Sequence, residues 1–310
     1  MSTNKKNKKL LVQILKLIIL VVAYGYIYFE FKNIDFKNII EFNGYLYLFF
    51  AIILMPLNWL IESKKWQLLI SKFEVISVNN SFKAVLSGLT TSIFTPNRVG
   101  EFVGRVMFVS NKNRLKATFA TIIGSYSQVL ITLLIGAFSV FFIKQGRIYF
   151  IDNNIYLKWF FLLLSLFFIL LFFSMNKMML IFNRMKYKHL VNIVSIISDY
   201  TFFDLLNVFL LSFVRYIVFY TQFYLLFLFF EVDISFVDSF VAIGVFYLFL
   251  AFIPTFILSE PGVRISTSMI VFSFFVNDMS IIVYTVSLLW LINIVFPTLI
   301  GSLFFIKQKF

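Results

Sequence analysis

Cysteine is absent from the 310 residues, and histidine occurs once, as His189. Disulfides, thiolate-bound metals and a cysteine nucleophile are thereby excluded, as are histidine-built metal clusters and serine–histidine–aspartate chemistry. Charge is scarce as well. Asp, Glu, Lys and Arg make up 13% of the chain, against about 25% in an ordinary soluble domain. No G-x-x-x-x-G-K-[ST] run is present to hold a nucleotide, so energy for any transport must come from a gradient. The chain is instead 61% hydrophobic and 21% aromatic. Such a composition cannot clothe a water-facing surface. It implies an all-α, polytopic helical membrane protein with neither cofactor nor metal.

At roughly 20 residues per spanning helix, about six full spans can be marked. They cover Leu10–Phe31, about Gly44–Ile61 (broken by Pro56), Leu115–Ile143, Tyr156–Ser174, Leu205–Phe230 and Ser280–Ile306. The first is too long for a cleaved signal and reads as a retained span. Residues 177–200 form a basic connector, and 1–310 reads as a single integral membrane domain. The net charge of +13 points to anionic lipid and a positive cytoplasmic side rather than to nucleic acid. With the N-terminus inside, 18 basic residues, Lys64 and Lys65 among them, fall on inner segments and 5 on outer loops. Both termini are then cytoplasmic, in a bacterial inner membrane.

Two stretches do not read as clean spans. Residues 81–109 are interrupted by Thr95-Pro96-Asn97-Arg98-Val99-Gly100-Glu101, and residues 235–275 by Pro254 and then Ser259-Glu260-Pro261-Gly262-Val263-Arg264. Half-length apolar helices around a polar break are the pattern of re-entrant hairpins. The positive-inside tally closes only if the first enters from the inside and the second from the outside. That suggests an inverted repeat, without a residue-by-residue repeat to support it.

The breaks carry the chemistry. Thr95 and Pro96 suit a helix N-cap and first turn, which would set Arg98, Glu101 and Arg105 on one helical stripe. Gly100 and Gly104 form a G-x-x-x-G pair for close helix approach. Ser259 can cap a helix starting near Pro261 and Gly262, with Glu260 and Arg264 four apart. Helix N-termini and arginines at mid-membrane suit an anion, phosphate being the commonest. An ionised residue at the bilayer centre costs about 2.5–3.5 kcal/mol by insertion scales. Arg98, Glu101, Arg105, Arg215, Glu260 and Arg264 must therefore face one another or water, and they leave a surplus of two positive charges. Two roles fit them: ion pairs that lock the hairpins, or a substrate site. Arg215 also fits a snorkelling residue or a partner of Asp199 or Asp204. Ser125 and Gln128, on a stripe with Thr118, Thr121 and Thr132, and Asn293 before Pro297 would line a path or join helices. A second stripe holds Ser212, Arg215 and Gln222.

The segment Phe94-Thr95-Pro96-Asn97-Arg98-Val99-Gly100-Glu101-Phe102-Val103-Gly104-Arg105 resembles the hairpin of the lysylphosphatidylglycerol synthase transmembrane family, also called flippase-like membrane proteins. Trp66, Gly124-Ser125-Tyr126-Ser127-Gln128 with Thr132 and Gly136, and Leu289-Trp290-Leu291-Ile292-Asn293-Ile294-Val295-Phe296-Pro297 with Gly301 fit the same pattern. The likeness runs from about Trp59 to Gly301. It implies the helical membrane part of an aminoacyl-phospholipid synthase and flippase, moving a lipid or lipid-linked group between leaflets. Thr95, Pro96, Gly100, Glu101 and Arg105 are the matching hairpin positions. Many members place a glutamate after the glycines of the second hairpin, whereas here Glu260 precedes Pro261-Gly262. No soluble aminoacyltransferase domain follows before Phe310, so synthesis of a lysyl-lipid is not expected.

The leading expectation is thus a flippase or scramblase whose partners are membrane lipids. The alternatives are a membrane-embedded transferase using Glu101 or Asp204 as base, or a non-transporting partner of a separately encoded lipid synthase or glycosyltransferase.

Overall fold

The computed structural model describes residues 44–93, 95, 98–143, 154–182, 197–254 and 259–308. The expected first span, Pro96, and residues 183–196 of the connector lie outside them.

The described residues form helices α1 (Tyr45–Ile70), α2 (Val78–Ser92), α3 (Gly100–Val106), α4 (Arg114–Phe141), α5 (Ile155–Phe182), α6 (Phe202–Phe229), α7 (Phe236–Phe252), α8 (Glu260–Phe272), α9 (Met279–Trp290) and α10 (Phe296–Lys307). A π-helical turn, Leu291–Val295, joins α9 to α10. Small polar residues set the starts. Ser77 and Ser235 accept from the backbone N–H groups of Asn80 and Asp238, and Thr201 and Asp204 form a reciprocal capping box. Five stretches are long and apolar enough to cross a membrane: Tyr45–Ile70, Asn111–Phe141, Ile155–Lys177, Phe202–Phe229 and Met279–Lys307. α1 continues through Pro56 for 26 residues, nine beyond the expected end at Ile61. Neighbouring helices in such bundles can satisfy the carbonyl that a proline leaves free. α5 is apolar on all sides, with Leu163 and Leu170 turned outward, as a lipid-facing helix should be.

The order long helix, paired short helices, long helix occurs twice. α1, α2–α3 and α4 form the first unit; α6, α7–α8 and α9–α10 form the second. α1 and α6 pack antiparallel along their whole length. Tyr45 meets the ring of Phe229, Gln222 donates to the Ala51 carbonyl at 2.9 Å, Arg215 to Asn58 at 2.7 Å, and Lys72 pairs with Asp204 at 2.6 Å. The two units are therefore inverted relative to each other. Asn58 and Arg215 each stand thirteen residues past the start of their helix, so the approximate two-fold axis passes between them. The remaining packing is reciprocal too. α4 lies on α7 through Gly136 and Leu248, and α10 lies on α2 through Gly301 and Leu86.

The paired helices open toward opposite ends of the bundle. At the α1 C-terminal end, Glu74 accepts from the Ser110 N–H, the Ser110 hydroxyl and Asn113 Nδ2, at 3.0, 2.6 and 2.7 Å, closing the base of α2–α3. α7–α8 opens at the other end, where Phe230 stacks on Tyr284. With 15, 7, 17 and 13 residues, each short helix falls below the roughly 20 needed to span.

Candidate functional site

The tips of the two hairpins meet near the middle of the bundle. Arg98 Nη2 lies 2.6 Å from Glu260 Oε1, and Arg264, one turn along α8, reaches the same carboxylate at 2.9 and 3.0 Å. The expected helix start at Thr95–Pro96 is not where α3 begins. The helix starts at Gly100, whose N–H donates to Thr95 Oγ1 at 2.5 Å. Arg98 stands outside the helix with φ 59°, in the left-handed region that a non-glycine residue occupies only under constraint. It therefore leaves the expected stripe with Glu101 and Arg105 and turns toward the other hairpin. Ser259 does stand at the N-cap of α8, with Pro261 in its first turn.

Arg105 is 1% exposed and lies in a different cluster. Glu62 of α1 is the hub, with Lys65 Nζ at 2.7 Å, Arg105 at 2.9 Å and Arg215 at 2.9 Å. Glu101 pairs with Arg105 one turn away. Lys65 also donates to the Gly124 carbonyl and Ser212, at 3.0 and 3.3 Å. The Arg215 guanidinium lies 5.0 Å from the Trp59 ring and 5.2 Å from that of Phe219. Arg215 thus neither snorkels nor reaches Asp204; its carboxylate partner is Glu62. Lys65 is buried, not a cytoplasmic loop charge as the sequence tally assumed. Glu62 and Lys65 were missed because the second span was ended at Ile61. Their signal was two charges within one turn of a continuous apolar helix.

The same short pattern opens the returning arm of each hairpin: Glu101-x-x-x-Arg105 and Glu260-x-x-x-Arg264, each an i, i+4 ion pair. This is the residue-level repeat that the sequence reading did not find. Together the two clusters hold five cations and three carboxylates. The Glu62 cluster (Lys65, Arg105 and Arg215 against Glu62 and Glu101) carries one net positive charge. The Glu260 cluster (Arg98 and Arg264 against Glu260) carries one more.

Between the clusters lies a cavity of about 200 Å³. Arg98, Arg215 and Arg264 line it, with Gln128 and Thr132 of α4, Tyr216 and Phe219 of α6, Tyr247 of α7, Trp59, Trp290, Asn293 and two aliphatic residues. Among the described residues, no carboxylate lines it. Asn293 reaches it from the π turn, where Pro297 lacks the N–H that would close on its carbonyl. Gln128 and Asn293 each sit fourteen residues past the start of α4 and α9. Glu101, Arg105 and Ser125 do not line the cavity. Of the other polar positions, Thr121 accepts from Trp66 Nε1 at 2.9 Å, and Ser127 meets Ser212 at 2.7 Å. These join helices rather than line a path.

Gly100 and Gly104 serve the close approach that their spacing suggested. A Cβ on Gly104 would overlap the Ser87 carbonyl oxygen and the Gly88 backbone. Gly262 is different, since a Cβ there would meet nothing within 4 Å. Pro254 is exposed beyond the end of α7, away from the cavity lining.

Neither the curated proteins nor the solved structures include a match to this sequence. The family described as Lysylphosphatidylglycerol synthase TM region matches over residues 13–301. That match covers nearly the whole chain, including both hairpins and the residues around the cavity. The protein belongs to the lysylphosphatidylglycerol synthase TM region family and is a multi-pass membrane protein linked to lipid metabolism.

Proposed function

We propose that this protein moves a phospholipid or lipid-linked substrate, anionic or zwitterionic, between membrane leaflets. Its headgroup would be held between the hairpin tips by Arg98, Arg215 and Arg264. The observation that carries this reading is the cavity wall, where the described residues supply three arginines, several hydroxyl and amide groups and no carboxylate. Buried cations demand a counter-charge, and ionisable groups inside a membrane protein mark substrate pathways. A cavity of about 200 Å³ is smaller than the roughly 300–1,000 Å³ that encloses a drug-sized ligand. It suits a headgroup whose acyl chains stay in lipid.

The inverted units add a mechanism. Carriers built from inverted repeats hold their substrate where the repeats meet, near the bilayer midplane, and expose it to each side in turn. Lys72, Lys83, Lys112, Arg114, Lys116 and Lys307 cluster at the end where α2–α3 opens. With that end in the cytoplasm, the first hairpin enters from inside and the second from outside, neither crossing fully. Glu62 and Glu101 hold Arg105 and Arg215, while Glu260 orients Arg98 and Arg264 toward the headgroup.

Leaflet exchange in proteoliposomes tests this, using headgroup-labelled anionic and zwitterionic phospholipids with and without a proton gradient. Wild type should exchange lipid selectively, and Arg98→Gln and Arg264→Gln should lose most of that activity while remaining folded and monodisperse. Undiminished exchange by both variants would sink the site assignment. No exchange under any condition would sink transport.

A further inference from the structure

Each ion cluster flanking the cavity is one positive charge in surplus, and each sends arginine to the wall: Arg215 from one, Arg98 and Arg264 from the other. A phosphodiester headgroup carries a single negative charge and could balance only one cluster. A phosphomonoester carries about −1.5 to −2 at pH 7, and a diphosphate carries at least as much. An aminoacylated headgroup adds ammonium groups, which would face arginines on a wall to which the described residues bring no carboxylate.

Among the described residues, wall side chains leave both kinds of polar group without a protein partner: the donors Trp59 Nε1 and the Tyr216 hydroxyl, and the acceptors Gln128 Oε1 and Asn293 Oδ1. The three arginines of the wall are donors only, so acceptor oxygens are what their charge-assisted hydrogen bonds require. A terminal phosphate offers three strong acceptor oxygens. We infer that the headgroup taken here is a lipid phosphomonoester or diphosphate, and that the site discriminates against net-cationic aminoacylated phospholipid. This rests on the cavity being the headgroup site of the proposed carrier.

The test is binding to the purified full chain in nanodiscs of zwitterionic lipid, doped in turn with phosphatidic acid, phosphatidylglycerol and lysyl-phosphatidylglycerol of matched acyl chains. Phosphatidic acid should bind about tenfold or more tightly than phosphatidylglycerol, with the lysyl lipid weakest. Its advantage should shrink as pH falls from 8 to 5, through the phosphomonoester's second ionisation near about 6. Arg264→Gln should narrow the gap and Arg264→Lys should restore part of it. The wild-type comparison stands even if a variant fails to fold. Equal or tighter binding of the lysyl lipid, or a preference indifferent to pH, overturns the inference. Inorganic phosphate is the soluble control: tight binding of phosphate alone, with phosphatidic acid no better than phosphatidylglycerol, would identify a free anion as occupant and overturn the lipid. Paired with leaflet exchange, the outcomes separate. Exchange of phosphatidylglycerol and the lysyl lipid as fast as phosphatidic acid defeats the inference and leaves transport standing. Selective binding without any exchange defeats transport and leaves the headgroup chemistry.

Discussion

The two hairpins hold equivalent places in an inverted fold and open their returning arms with the same Glu-x-x-x-Arg pair, yet those arms are held in opposite ways. In the first, the backbones of Gly88, Gly100 and Gly104 sit directly against their neighbours, and Arg105 is buried against Glu62 of α1. The Thr91 hydroxyl donates to the Gly100 carbonyl at 2.6 Å, tying arm to arm. In the second, a Cβ on Gly262 would meet nothing within 4 Å, and the Arg264 side chain, 21% exposed, lies on the cavity wall. One motif thus performs two tasks. Its arginine is part of the core in the first hairpin and part of the cavity wall in the second. The difference lies in what faces it: α1 supplies Glu62 to Arg105, whereas the corresponding position on α6 is Phe219, seventeen residues past the helix start as Glu62 is.

Removing the two carboxylates that organise these clusters should separate the tasks most widely. Glu62→Gln leaves Lys65, Arg105 and Arg215 buried without their shared counter-charge, and breaking a buried network in this way costs about 3–5 kcal/mol. Thermal unfolding in detergent should show a large drop and reduced yield. Glu260→Gln frees two cations that reach the cavity, so its stability loss should be much smaller while lipid binding changes. If the two variants unfold alike, the division into core and site is wrong.

The glycines give the next contrast. Gly104→Val forces a side chain into the Ser87 carbonyl, and overpacking of this kind costs about 1–3 kcal/mol. Gly262→Ala meets open space on a helix, where alanine is favoured over glycine by up to about 1 kcal/mol. The first should lower the melting temperature and the second should hold or raise it. Equal effects would mean that the returning arm of the second hairpin packs as tightly as that of the first.

Much of this was readable in advance. Apolar runs placed four of the five described spans to within a few residues, and each charged Pro/Gly break falls between two short helices. Arg98, Arg215 and Arg264, with Gln128 and Asn293, were named from their placement in apolar segments, and all five line the cavity. Which cations share a carboxylate was not readable. Helical periodicity set Arg98, Glu101 and Arg105 on one stripe, but a left-handed turn at Arg98 sends it across the molecule instead. Local spacing carries no information about such long-range pairing. Glu62 escaped because Pro56 and the Lys64–Lys65 pair resemble the end of a span, while burial, which only tertiary packing determines, keeps Glu62 and Lys65 inside.

The smallest expected effect concerns the base of the first hairpin. Partial burial raises the Glu74 pKa, but hydrogen bonds from Ser110 and Asn113 outweigh it and leave the carboxyl below its ordinary value of 4.5. A group with a depressed folded pKa stabilises the fold above its unfolded pKa and loses that contribution as pH falls through the folded value. Wild type should therefore exceed Glu74→Gln in stability at neutral pH, by about 1 kcal/mol or less for a partly exposed group. The gap should close as pH drops below about 4.5. Unfolding curves of the two proteins from pH 7 to pH 3 measure this. A gap that is constant across the range would mean that the clamp works through shape, with the carboxylate charge contributing nothing to the anchoring of the first hairpin.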